Sequence, residues 1–535
     1  MTYAAALGMA VAMTIPNPLS AAVHSAARPA NGGTIPRLVT HNGHFTLMVD
    51  DKPFFILAAQ LHNSSAWPQM LDRSWQSVEA LHANTVEAPV YWEQFEPSPG
   101  HFDTTNIDAL IAKARMSGKR LILLWFGTWK NGQMQYAPEW IKADAKTYPR
   151  QLDEHGQPLG DLSTFAPATL QADSHAFGAL MAHLRKVDGA RHTVIMVQVE
   201  NEPGTIGAVR DHSPAANAAF NGPVPAAIQQ RVGGRAGTWS QLFGADAEEM
   251  FNAWANARYI NAVAAAGKQV YPLPMYVNCW LRYKDKRYPG MDYPSGGATY
   301  NVFDVWRAVS PSIDLIGTDL YTTDATEFRK VLAQYHRPDN PSWISETGFD
   351  PKTAPFLYYI LANDGIGFSI FGIDNPPSDA QAKAIDAHAR NYALLGSIDS
   401  LLAQAMADGQ LKAAVEALGE PRQTLDFGDW RVTLSFGPPP WGESPAIISN
   451  SPDVDGRALV IRLDQQHFLV TGTDVRVEFA RAARDGRHGQ LLRVEEGKYV
   501  GDTWQPQRWL NGDEVDYGIN FHKESRLVRV KVGAY

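Results

Sequence analysis

Cysteine is nearly missing from this chain: one residue, Cys279, in 535, which excludes an internal disulfide. Its place after the apolar stretch 273–277 reads as a small core residue without a catalytic role. Excess positive charge is missing too. Lys and Arg number 47 against 56 Asp and Glu, for a formal charge of -9, and no Lys/Arg block occurs, so a nucleic-acid surface is not expected. No apolar run is long enough to span a bilayer, which argues against stable membrane insertion. The nearest approach is the uncharged run 4–15, followed by Pro16, Pro18 and the small residues 20–27. It reads as the apolar and cleavage regions of a signal peptide that lacks a basic start, giving a leader over 1–30 and export to the periplasm or beyond. The 16 histidines show no metal-ligand spacing with Cys or carboxylates, Pro294-Ser295-Gly296-Gly297 lacks the Lys-Ser/Thr ending of a phosphate loop, and no Ser-centred elbow stands out. Neither a metal nor a cofactor is expected, and an esterase is disfavoured.

What the chain does have is apolar residues in a repeating arrangement. Hydrophobic content is 45% against 19% charged, enough for a large core and too much chain for one ordinary domain. Short apolar segments at 54–60, 85–92, 120–125, 193–199, 273–278, 315–321, 343–346 and 366–371 alternate with helical periodicity, for example at 107–116, 174–186 and 247–266. That alternation predicts an α/β fold, a (β/α)8 TIM barrel over 36–400. Beyond about Gly419 the texture becomes alternating strands (429–436, 458–463, 468–479, 491–500, 526–532) with Gly, Pro and Asp turns, predicting a C-terminal β-sandwich over 420–535 with a connecting loop at 437–442. Trp504 and Trp509 fit either a sugar-binding platform or the sandwich core.

Two glutamates stand where barrel chemistry is done. Glu202, in Gln198-Val199-Glu200-Asn201-Glu202-Pro203-Gly204, follows the fourth strand, and Glu346, in Trp343-Ile344-Ser345-Glu346-Thr347-Gly348, ends the seventh. A solvated or Arg-paired glutamate is the plainer reading of either alone. Together they supply what glycosidic cleavage needs: an acid to protonate the leaving oxygen and a carboxylate at the anomeric carbon. Tyr91, Trp125, Trp129, Trp280 and Tyr321 fall at strand ends, where rings stack on sugars or pack in the core; Asn278 could line the sugar site with Trp280. Glu200 should alternate away from Asn201, so a core partner suits it at least as well as substrate. His62 and Asn63 could meet hydroxyls or be satisfied loop residues.

The segment Glu87-Ala88-Pro89-Val90-Tyr91-Trp92-Glu93-Gln94-Phe95-Glu96-Pro97-Ser98-Pro99-Gly100-His101-Phe102-Asp103 resembles the second-strand signature of glycoside hydrolase family thirty-five, the β-galactosidases of clan A. Gln198 to Glu202 is similar to its fourth-strand motif. The resemblance spans roughly 38–375 and implies Glu202 as acid/base, Glu346 as nucleophile, Asn201 at the sugar 2-hydroxyl and Tyr321 as the tyrosine bonded to the nucleophile. The implied reaction is removal of terminal β-D-galactose, with retention, from oligosaccharides or plant polysaccharide side chains. Two departures stand out. The third-strand glutamate of the family is replaced within Trp125-Phe126-Gly127-Thr128-Trp129-Lys130-Asn131-Gly132, leaving Asn131 or Lys130 to take its place, and Pro203 follows Glu202 where the family has Tyr. A clan-A enzyme of other specificity, such as a β-mannanase or β-glucosidase, and a non-catalytic carbohydrate-binding protein are the alternatives.

Overall fold

The computed structural model describes residues 33–41, 43–374, 379–437, 455–483 and 485–535. The leader expected at 1–30, and the 437–442 loop beyond Gly437, lie outside the described residues.

The parallel sheet runs Ile56–Gln60, Thr85–Tyr91, Arg120–Lys130, Val194–Asn201, Met275–Val277, then Leu315–Ile316 and Thr318–Asp319, then Trp343–Glu346 and Gly367–Phe371. Its nine segments begin and end with the two that flank Gly317. Those two are one interrupted strand: Leu315 pairs with Tyr276 of strand five and Asp319 with Glu346 of strand seven. Counting them as one leaves eight strands and a closed barrel. The interruption has a steric reason, since a Cβ on Gly317 would come within 2.5 Å of Ser345 Oγ.

Strands two and four are buried at every residue, as expected when side chains point alternately into a filled barrel and under a helical coat. The coat includes Pro167–Asp188, which starts with Pro at its first turn, and Ala247–Val270, with Glu248 and Glu249 in its first turn and Lys268 in its last, charges that suit the helix dipole. The long third-to-fourth connection carries the hairpin Arg150–Leu152 and Pro158–Leu162.

Three strands escaped the sequence pattern before the barrel, an antiparallel sheet of Arg37–His41, His44–Val49 and Lys52–Phe54. After it come a six-stranded and a four-stranded antiparallel sheet. The predicted strand 468–479 is two strands, His467–Thr473 in the larger sheet and Val475–Arg481 in the smaller, turning at Asp474 with φ of 45°. Leu411–Val415, short and Ala-rich, joins the larger sheet next to Arg457–Arg462. The two sheets share a core in which Val432, Leu434, Val475 and Val477 of the smaller meet Ala458, Val460, Phe468, Val470, Val528 and Val530 of the larger. The intervening residues Leu459, Ile461, Leu469 and Leu527 belong to the barrel's cluster instead. The larger sheet is therefore a middle layer, apolar on both faces.

Candidate active site

Glu202 and Glu346 arrive at the same place from opposite walls of the barrel. Strand four winds out of its ladder at the end, with φ of 64° at Glu200 and 45° at Glu202, conformations unusual for residues with a Cβ. The turn is held by Asn278 at the end of strand five, whose Oδ1 accepts from the Glu202 backbone N–H at 2.7 Å. Glu346 ends strand seven, with Gln60 Nε2 donating to its Oε1 at 2.6 Å and the Tyr321 hydroxyl to its Oε2 at 2.8 Å. Both glutamates are buried, at 8% and 5% exposure.

A third acid joins them. Glu202, Glu346 and Asp319 each present an oxygen within 4.8 Å of the others. By distance alone this trio could hold a cation, but both Glu346 oxygens and both Asp319 oxygens already accept protein hydrogen bonds. The electrostatics follow from burial and crowding. Burial pushes the Glu202 carboxyl up to about 7, helped by the charge of Glu346 and opposed by Lys130 and by a hydrogen bond with Asp319. Below the site, Glu87 is pushed up to about 8, again mainly by burial, with the Tyr276 hydroxyl 3.1 Å from its Oε2. Burial, then the charges of Glu346 and Asp319, push the Tyr321 phenol up, so its proton stays on the bond to Glu346.

The remaining predicted residues divide into those at the trio and those packed behind it. Asn201 is fully buried beside Glu202; its Oδ1 accepts from Lys130 Nζ at 2.8 Å, and its Nδ2 has no partner among the described residues. A buried amide N–H without a partner is costly, and this one is left free to meet an acceptor. Asn131, in left-handed backbone with φ of 55°, donates its N–H to the Asn201 carbonyl and has its own Oδ1 unpartnered. Asn278 spends its amide on protein, its Nδ2 donating to Asp319 at 2.7 Å. Trp280 is 39% exposed, and its backbone bridges Asp319. Tyr321 is 46% exposed despite its buried hydroxyl.

Tyr91 is placed within a stack between Trp67 and Tyr136, with centroids at 5.8 and 5.5 Å. Trp129 is fully buried and edge-on to Tyr259 at 5.3 Å, its backbone N–H donating to Glu200. Trp125 is core, its Nε1 donating to Asp173 at 2.9 Å. Glu200 bonds to Asp173 below the site, and burial with the Asp173 charge raises it well above the carboxylate range, so it is a core partner. His62 lies against Phe371, its N–H donating to Asp374.

Gln60, Asp319 and Ser345 were not singled out in the sequence. Gln60 had a signal, a lone polar residue closing an apolar strand. Asp319 had another: two residues before Tyr321, it shares that residue's side of the chain. Ser345 had none.

Arranged this way, the residues can protonate an oxygen from Glu202 and present a carboxylate, steadied by two donors, to a carbon between them. Residues 46–272 match Glycosyl hydrolases family 35, and residues 388–522 match a domain of unknown function, DUF5597. No curated protein matches the chain. Among solved structures, a beta-galactosidase from Bacillus circulans sp. alkalophilus is 13% identical over 65% of this chain and 57% of its own, with a TM-score of 0.47. A beta-galactosidase from the psychrophilic Marinomonas ef1 is 14% identical over 65% and 61%, at 0.45. An exo-beta-1,4-mannosidase from Opitutaceae bacterium strain TAV5 is 15% identical over 68% and 63%, at 0.41. The chain thus spans less than two thirds of the length of each. The segment 46–272 that matches glycosyl hydrolases family 35 carries strands one to four and Glu202.

Proposed function

We propose that the protein is a retaining β-galactosidase that removes terminal non-reducing β-D-galactose from oligosaccharides or plant polysaccharide side chains. The observation that carries this is the spacing of Glu202 and Glu346, with carboxyl oxygens within 4.8 Å. Retaining glycosidases hold their carboxyls about 5 to 5.5 Å apart, whereas inverting ones leave about 6.5 to 9.5 Å for a water.

In the first half-reaction a Glu346 oxygen bonds to the anomeric carbon as the glycosidic C–O bond breaks, and the Glu202 proton passes to the leaving oxygen. Near pH 7 a carboxyl raised to about 7 keeps its proton in about half of the molecules, where an ordinary glutamate would keep almost none. Once Glu346 is esterified its charge is gone, the repulsion that raised Glu202 ends, and Glu202 becomes the base that takes a proton from water. Asn201 donates its free Nδ2–H to the sugar 2-hydroxyl. Galactose specificity is supported by the match of residues 46–272 to glycosyl hydrolases family 35 and by the second-strand segment 87–103.

The test is release of 4-nitrophenol from a panel of aryl β-glycosides, with azide added to Glu346→Ala. The expected result is best cleavage of the galactoside, β-galactose as first product, and α-galactosyl azide from the variant. Preference for a mannoside or glucoside would overturn the galactose assignment, and no cleavage of any glycoside would favour a sugar-binding role.

A further inference from the structure

Lys130 buries a positive charge at the end of strand three. It is 5% exposed, its Nζ donates to Asn201 Oδ1 at 2.8 Å and lies 5.0 Å from the centre of the Phe126 ring, and among the described residues it forms no ion pair at hydrogen-bonding distance. An ammonium has three N–H groups and no acceptor, so Asn201 must turn its oxygen toward Lys130 and its Nδ2–H away. The backbone imposes this meeting. Lys130 stands opposite Asn201 where strands three and four end. The turn through Asn131 and Gly132, both in left-handed backbone, returns to Gln133, whose carbonyl accepts from the Lys130 N–H at 2.8 Å. The same turn is tied to strand four, with the Asn131 N–H donating to the Asn201 carbonyl at 3.2 Å and the Gly132 N–H to the Glu202 carbonyl at 3.1 Å. A buried charge whose hydrogen bonding rests on one neutral amide is costly to the folded protein. Two further buried polar atoms beside it, Asn201 Nδ2 and Asn131 Oδ1, have no partner among the described residues. Three incomplete groups on two paired strand ends point to one polar ligand that completes them.

We propose that Lys130 is a substrate-binding residue that donates to the 3-oxygen of the sugar in the cleavage site, next to the 2-oxygen taken by Asn201. The inference rests on the glycosidase reading above, with Asn201 at the 2-hydroxyl. The choice of oxygen follows from adjacency. Lys130 Nζ, bonded to the Asn201 amide oxygen, and the Nδ2–H of the same amide are adjacent donors, so they suit neighbouring oxygens of the ring. On the anomeric side the neighbour of the 2-oxygen belongs to Glu202 and Glu346, which leaves the 3-oxygen. The patch therefore asks for acceptors at both positions, and the substrate class is a sugar with free vicinal 2- and 3-hydroxyls. A protonated amino group at either position is refused by the ammonium.

The test pairs substrates with variants. The ratio kcat/KM is measured for an aryl β-galactoside and for its 3-deoxy and 4-deoxy forms, on the wild type and on Lys130→Met, which keeps the length of the side chain and loses its charge. A hydrogen bond from a charged donor predicts that the wild type prefers the parent to the 3-deoxy sugar by roughly ten- to a hundredfold, and that Lys130→Met brings this preference within about threefold by losing the parent and sparing the 3-deoxy sugar. The preference over the 4-deoxy sugar should be alike in both proteins. Any effect of the lost charge on Glu202 acts on all three substrates and cancels in these comparisons. A purely structural lysine would lower all three substrates equally, and that result overturns the proposal. Should Lys130→Met fail to fold, Lys130→Gln decides: a neutral amide makes a weaker bond, so the preference over the 3-deoxy sugar should fall about tenfold, and an unchanged preference overturns the proposal. If another glycoside is the best substrate, the same comparisons are made with its 3-deoxy and 4-deoxy forms, and only the galactose assignment falls. If no glycoside is cleaved, the glycosidase reading falls, and calorimetric affinities for galactose and 3-deoxygalactose replace the rates. Tighter binding of galactose that is lost in Lys130→Met then supports the role of the lysine, and equal binding, or none, overturns it.

Discussion

Glu87→Gln should make the protein more resistant to alkaline loss of stability. Glu87 is fully buried on strand two and titrates at about 8 against an ordinary value of 4.5. Between those values the folded protein keeps a proton that the unfolded chain releases, so unfolding is increasingly favoured as pH rises. The stability from this group is fully present below 4.5 and is lost as pH climbs through 8. At about 1.36 kcal/mol per unit, the loss between pH 5 and pH 8 comes to roughly 3 to 4 kcal/mol for Glu87. Glu202, raised to about 7 and 8% exposed, and the buried Glu200 and Asp319, raised well above the carboxylate range, act in the same direction in both proteins. Glutamine keeps the size and an oxygen for the Tyr276 hydroxyl but cannot ionise. Urea unfolding at pH 5 and pH 8 should show a fall in stability that is roughly 3 to 4 kcal/mol smaller in the variant than in the wild type. Equal falls in the two proteins, or stability rising with pH in the wild type, would refute the reasoning.

Asn278→Ala strips Asp319 of a donor and leaves the Glu202 N–H unpaired at a left-handed residue; a charged hydrogen bond of about 1.5 to 3 kcal/mol predicts a kcat loss of roughly ten- to a hundredfold with KM nearly unchanged, read by steady-state kinetics. Lys130 lowers the Glu202 titration, so Lys130→Met should raise the basic limb of the pH–rate profile. Leu469→Ala, in a fully buried position of the middle sheet, should cost about 2 to 5 kcal/mol, and circular dichroism and activity should be lost in one coincident thermal transition.

The barrel was legible because buried parallel strands announce themselves as apolar runs, and both glutamates could be found because they interrupt such runs. Helices between the runs supplied the period. The aromatic residues were harder. Position at a strand end does not say whether a ring turns to the mouth, as Tyr321 and Trp280 do, or into a stack, as Tyr91 and Trp129 do. Strand six hid Asp319 because Gly317 breaks its ladder so that strand seven can approach. In the C-terminal region the run 468–479 looked like one strand because the turn at Asp474 takes a single residue in left-handed backbone. Leu411–Val415 carries two alanines and a lysine, and its pairing is decided by a partner some fifty residues on, at Arg457–Arg462, which no local pattern encodes.

The sheet that is apolar on both faces joins two cores across one wall. Successive residues along Arg457–Arg462 answer to different neighbours, Ala458 and Val460 to the small sheet, Leu459 and Ile461 to the barrel. Such a wall couples the evolution of the parts it joins: a volume change on one side shifts the strand and is felt on the other. The C-terminal portion therefore cannot be transplanted onto another barrel as a free-standing cassette, and a graft would have to carry with it the barrel surface against which the wall was shaped.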